Sequence, residues 1–169
     1  MDLRLVEGDL LDQDVEVIVN AWNRNLFPWW LLLPQGVSGA IRRRGGKDPF
    51  RKLARMRLIP LGGAVATGPG RLPFRAIIHV AGISLLWRSS EWSVRTSVRN
   101  ALALAKQRGY RSIAFPLIGA GSGGGKAERV QAWMADELAG LDFDGKVRVV
   151  RYKPRAAEAA STPDRGGNE

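Results

Sequence analysis

The chain predicts an α/β layered fold, on three observations. Short apolar, β-branched runs alternate with segments of helical period from one end to the other. Glycine- and proline-rich stretches separate them. One apolar run, Ile113–Ala114–Phe115, passes Pro116 and opens into a loop carrying Gly119, Gly121, Gly123, Gly124 and Gly125.

A first strand is expected at Leu3–Val6, leading into Gly8, Asp9 and Leu10. A second, Val15–Val19, is β-branched and ends at Asn20. The segment 21–35 has no period and carries Trp22, Phe27, Trp29 and Trp30. A short helix is expected from Val37 to Arg44, closed by Gly45 and Gly46. Asp48 followed by Pro49 reads as cap and first-turn proline of a helix reaching Met56. Strands at Ala64–Thr67 and Ala76–Val80 flank the turn-rich GPGRLPF. Ser90 or Ser93 caps a long helix that Gly109 ends; its Val94, Val98, Ala101, Leu102 and Ala105 share a face. The strand at 112–116 stops at Pro116, which cannot continue a ladder. A helix begins near Lys126, with Val130, Trp133, Met134 and Leu138 on one face, and Val147–Tyr152 forms the last strand. The folded domain is therefore expected over 1–153. Residues 154–169 are small, polar and unpatterned, which predicts a disordered tail.

At 169 residues the chain is long enough for one domain with a real core. Cysteine is absent, which excludes disulfides, thiol nucleophiles and Cys-ligated zinc. His79 is the sole histidine, so neither a His-based metal cluster nor a Ser-His-Asp triad can form. No metal and no cofactor is indicated. Asp2, Arg4, Glu7 and Asp9 interrupt any signal peptide, and WWLLLP at 29–34 is too short to span a bilayer. A soluble, cytoplasmic protein without a membrane partner is expected. The net charge of +10 favours anionic ligands or direct nucleic-acid binding; a solvated basic helix face explains it equally well.

Strand, glycine loop and helix N-terminus together make a phosphate cradle, because backbone N–H groups converge unobstructed and the helix dipole favours an anion. A phosphorylated small molecule is the expected ligand, with a plain surface loop as the alternative. Gly119, Gly121 and Gly124 satisfy GxGxxG, yet a dinucleotide fold places that loop after its first strand. A Walker loop would need other residues at Ala120 and Ala127, and a nucleophile elbow around Ser122 would need glycine at Ala120.

Taken in order, GDL, VEVIVNAWN, GVSGAIRRRGG, IIHVAG and SIAFPLIGAGSGGG resemble the macrodomain family over residues 1 to about 152. The resemblance implies a three-layer α/β/α sandwich with a mixed, mostly parallel six-stranded sheet, and ADP-ribose as ligand. Some members hydrolyse ADP-ribose from proteins, nucleic acids or O-acetyl-ADP-ribose; others only bind it. Asp9 is similar to the residue that accepts from the adenine amino group, with Leu10 against the base; a helix cap is its plainer role. Asn20 and Asn23 resemble the paired asparagines of the ligand loop, although asparagine also ties down turns. Gly36, Val37, Ser38 and Gly39 resemble a first phosphate loop. Ile118, Gly119, Ala120, Gly121, Ser122, Gly123 and Gly124 resemble the second. Tyr152 stands where an aromatic often stacks on adenine, or is simply a sheet-end aromatic.

The departures concern catalysis. Ser38 stands where one hydrolase branch has aspartate, and Ser122 and glycines stand where another has an aspartate paired with a lysine. NLFPWWLLLPQ replaces a short glycine run. It reads either as a packed lid or oligomer contact, or as a reshaped distal-ribose pocket built on Trp29, Trp30 and Gln35. Hydrolysis would then rest on Asn23 and Gln35 as positioning amides, since neither titrates usefully. The alternatives are a non-catalytic ADP-ribose reader and a module binding RNA or poly(ADP-ribose).

Overall fold

The computed structural model describes residues 1–22, 36–56, 58–83, 88–121 and 126–154. Six strands form one sheet: β1 (Asp2–Gly8), β2 (Val17–Trp22), β3 (Ala64–Thr67), β4 (Ala76–Ala81), β5 (Ser112–Pro116) and β6 (Lys146–Tyr152). Their order is β1-β6-β5-β2-β4-β3, with every pairing parallel except β3 against β4. Helices α1 (Gly36–Gly45) and α2 (Asp48–Ala54) cover one face, and α3 (Glu91–Gln107) and α4 (Ala127–Ala139) the other. This is the expected three-layer α/β/α sandwich with a mixed sheet.

Strand alternation divides the core between the layers. Val17 and Val19 face the α3/α4 side with Ile78, Val98 and Met134. Ile18 and Trp22 face the α1/α2 side with Ile77, Ile41, Phe50 and Leu53. Central strands of a parallel sheet are buried on both faces, hence the continuous apolar run AIIHVA in β4, every residue of which is buried. Ser90 caps α3 through a reciprocal pair: its Oγ accepts from Ser93 N–H at 3.1 Å, and Ser93 Oγ accepts from Ser90 N–H at 2.9 Å.

The expected ends of the second strand and the start of the second helix move, whereas β5 keeps its expected span of 112–116. The second strand begins at Val17, because Glu16 is held in a bend: its N–H donates to Ser112 Oγ, its carbonyl accepts from Arg75 N–H, and its carboxylate accepts from Arg111 N–H. Those contacts hold the Glu16 carboxyl below the usual range, the Arg111 amide first and the Arg75 guanidinium next. The strand then runs past Asn20 to Trp22, on a ladder with β4 that pairs Val17 with Ala76 and Trp22 with Ala81. Pro116 belongs to β5 as its last residue, opposite Val150; a missing N–H is tolerated there because β2 has already parted from β5. Asp48 is the first helical residue of α2, not its cap, and pairs with Arg51. No helix among the described residues is long and apolar enough to cross a membrane. The expected tail beyond 154 lies outside the described residues.

Candidate functional site

The sheet itself opens the site. β2 and β5 are in register only at Val17↔Ile113 and Ile18↔Ala114, while β2 continues to Trp22 and β5 to Pro116. Two parallel strands that part at their carboxyl ends leave a crevice beyond the sheet edge, the usual place for a ligand in an open α/β sheet. A cleft of about 760 Å³ lies at that edge.

One wall comes from the ends of β1 and β6. Their register sets Gly8 opposite Tyr152, which brings Asp9, Leu10 and Leu11 beside Tyr152 and Val150. Asp9 both caps and lines. Its Oδ1 accepts from Leu11 N–H at 2.8 Å, closing a single 3-10 turn at Leu10–Asp12, and its Oδ2 pairs with Arg44 at 3.3 Å. Arg44 also reaches Asp12 at 3.0 Å, so the carboxylate is held in place without being buried. Tyr152 is 64% exposed and lines the cleft, and an aromatic so exposed can stack on a planar partner.

The opposite wall is α1. Gly36, Val37, Ala40, Arg43 and Arg44 face the cleft at successive helical turns, with the helix N-terminus at Gly36. Gly36 has φ +57°, a conformation that favours glycine, and the amides of the first turn lack intrahelical partners. Pro116 forms the floor, and the glycine loop leaves from it. Along that loop Gly119 and Gly121 differ. Gly119 has φ +84°, and a Cβ there would overlap the Ser89 Cβ; at Gly121 an added Cβ meets nothing within 4 Å. Gly119 is a packing requirement, whereas Gly121 borders open space.

Beneath the N-terminus of α1 runs a buried polar chain. Ser38 Oγ donates to Asn20 Oδ1 at 2.8 Å, and Asn20 Nδ2 lies 3.1 Å from His79 Nδ1. His79 Nε2 lies 2.9 Å from Thr67 Oγ1, which donates to Gly68 O at 3.1 Å. Only one arrangement satisfies every atom: Asn20 donates to Nδ1, and Nε2–H donates to Thr67. The ring is neutral, because burial pushes its pKa down to about 3. The chain crosses β2, β4 and β3, since Asn20 pairs with His79 and Thr67 is two residues from Val65, the β3 partner of His79.

Of the expected site residues, Asp9, Leu10, Gly36, Val37 and Tyr152 line the cleft. Asn20 is fully buried, with its carbonyl and amide bonded to Ser38 and His79, so it braces α1 from below. Ser38 is nearly buried above it, and Gly39 faces the other side of α1. The Ile118 side chain is in the core against Gly82, leaving only its backbone for the loop; Ala120 packs partly against the same core. Asn23, Gln35, Ser122, Gly123 and Gly124 lie outside the described residues, as do Trp29 and Trp30. Sequence reasoning missed Leu11, Ala40, Arg43, Arg44, Pro116 and Val150 as lining residues. Ala40, three positions after Val37, and Val150, two before Tyr152, follow from helix and strand periods once one partner is placed.

An α/β/α protein with a ligand cleft at the carboxyl edge of its sheet is the class these features define. Residues 19–134 match the Macro domain family model, and the chain belongs to that family. It is 37% identical over 127 residues to an O-acetyl-ADP-ribose deacetylase of Escherichia fergusonii, covering 70% of this chain and 68% of that protein. It superposes on the Oceanobacillus iheyensis macrodomain solved with ADPR at a TM-score of 0.77 and 31% identity, over 88% of this chain and 83% of the other. A Trypanosoma brucei macrodomain in complex with ADP-ribose gives a TM-score of 0.70 at 28% identity, over 88% and 63%.

Proposed function

We propose that the cleft binds ADP-ribose and that the protein releases it from mono-ADP-ribosylated substrates or from O-acetyl-ADP-ribose. The match between the two ends of the cleft and the two ends of the ligand carries this reading. At one end the Asp9 carboxylate faces an exposed aromatic, as an exocyclic amine on a planar base requires. At the other, the N-terminus of α1 lines the cleft and would offer backbone N–H groups to a pyrophosphate, with the glycine loop that follows Pro116 completing the cradle in this reading. Relatives that bind or deacetylate ADP-ribose derivatives support it.

Asp9 is the one carboxylate among the described lining residues, and it belongs to the adenine end. Ser38 is buried and commits its proton to Asn20, so it supplies neither a charge nor a free proton. Water would therefore be positioned by the amides of Asn23 and Gln35, with a substrate phosphate taking the proton. The same absence favours a second reading, a reader that binds without turnover. Incubation with mono-ADP-ribosylated protein, ADP-ribosylated nucleic acid and O-acetyl-ADP-ribose separates the two. Hydrolysis predicts ADP-ribose release by wild type that Asn23→Ala and Gln35→Ala abolish while affinity holds. Tight binding with no release from any linkage establishes the reader.

A further inference from the structure

A second cleft, of about 620 Å³, lies on the other side of α1. Arg42, Arg43, Lys47, Arg51 and Arg71 line it, and among the described residues no acid does. Arg43 lines both clefts, so they share one wall.

The charge is concentrated here. Eight of the 26 lysines and arginines fall within residues 42–57, against one acid, Asp48. Elsewhere most cations are matched, among them Arg75 with Glu16, Arg95 with Asp136, Arg99 with Glu137, Lys106 with Asp142 and Arg148 with Asp2. Around this cleft Asp48 pairs directly with Arg51 and its charge also reaches Arg71, while Arg43, Lys47 and Arg71 have no ion pair among the described residues. Arginines near a helix C-terminus complement its dipole, which accounts for part of the α1 run. It does not account for Arg71, which arrives from the β3–β4 connection.

Arg71 is brought there by a tight contact. Its N–H donates to Gly45 O at 3.0 Å, and a Cβ on Gly70 would overlap that same carbonyl. Gly70 has φ +64°, and a Cβ on Gly46 would come within 3.3 Å of Arg71 Nη1. Three glycines thus let the turn press against the end of α1 and hold a guanidinium beside Arg42 and Lys47. Cations held together in this way repel one another, a cost that an anionic ligand removes.

We infer that this cleft docks the phosphodiester backbone of a single-stranded nucleic acid. Arginine forks match phosphate oxygens in bidentate fashion, and four of the five lining cations are arginines. A nucleic-acid strand supplies one negative charge per residue wherever it lies. An acidic peptide would need a carboxylate run of matching length. Apart from Arg43, which lines both clefts, no residue of this docking surface lines the ADP-ribose cleft.

Fluorescence anisotropy with a labelled 12-nucleotide single-stranded RNA tests this, with the DNA version as a second arm. Wild type should bind with an affinity that falls with salt at a log–log slope of about −3, the value for about four phosphates on a single strand. The double variant Lys47→Glu/Arg71→Glu should weaken binding about 20-fold or more and flatten the slope, with ADP-ribose affinity by calorimetry unchanged. Arg108→Glu/Arg129→Glu makes the same change in net charge on the α3/α4 side and should remain within about threefold of wild type. Equal losses in the two double variants would reduce the effect to bulk charge and overturn the assignment. So would a polyglutamate peptide binding as tightly as the RNA. If the glutamate variant does not fold by circular dichroism, Lys47→Ala/Arg71→Ala replaces it, with the same ordering expected.

Discussion

Two polar regions frame the cleft beside α1 and are built on opposite terms. The wall at Asp9, Arg44 and Tyr152 is wet: its ion pair lies in solvent, its aromatic is exposed, and its partners are free to exchange for a ligand. The chain Ser38–Asn20–His79–Thr67 under α1 is dry, and each of its atoms already has a protein partner. A buried polar group left unpaired costs far more than an exposed one. The dry chain therefore belongs to stability and to the placement of α1, and the wet wall to affinity.

The largest break in that division comes from His79→Leu. It leaves the Asn20 amide without its acceptor and strips the Thr67 oxygen of its donor, with only the bond from Thr67 to Gly68 remaining, and urea denaturation should show a loss of about 3–5 kcal/mol. A loss under about 1 kcal/mol would mean that the chain relaxes and carries little. Next is Gly121→Glu. Its side chain starts in open space, so the fold should be unchanged while ADP-ribose affinity falls more than about 100-fold, or about 2.7 kcal/mol. A folded variant with normal affinity would remove the glycine loop from the site.

Acid gives a finer test of the dry region. An unfolded histidine titrates near 6.5, whereas buried His79 holds out to about 3. Between those values the unfolded chain binds a proton that the folded chain refuses, so stability rises with pH and is lost on acidification. From pH 7 to pH 5, wild type should lose about 2 kcal/mol more than His79→Gln, which keeps a donor and an acceptor but does not titrate. Parallel curves for the two proteins would place the acid sensitivity elsewhere. The smallest effect belongs to the wet wall. Asp9→Ala should weaken ADP-ribose binding by about 1.5 kcal/mol, and Asp9→Asn, which retains an acceptor for Leu11, by less. Equal affinity in all three proteins would remove Asp9 from the adenine end.

The same division explains what the sequence made legible. Asp9, Gly36, Val37 and Tyr152 stand at the ends of periodic elements, where the ordered motifs carry the family resemblance that assigns them. The contact of Asn20 with His79 joins residues 59 apart through the β2–β4 register, and neither residue signals the other. Asn20 was therefore expected to face the ligand, and His79 had no assigned role. The shift of the second strand had a similar cause, since Glu16 is held by Ser112 and Arg111, residues distant in sequence. Arg42 and Arg43 were visible as charge, but only the glycine-packed approach of Arg71 makes them a cleft.

The central claim is that ADP-ribose occupies the cleft between Asp9 and the N-terminus of α1. An amide-resolved NMR titration of the ¹⁵N-labelled protein with ADP-ribose tests it most directly. Saturable shifts should concentrate at Leu10, Leu11, Gly36, Val37 and Gly121, with Lys106 and Arg108 on the far layer unmoved. Shifts confined to Arg42, Lys47 and Arg71, or none at saturating ligand, would contradict it.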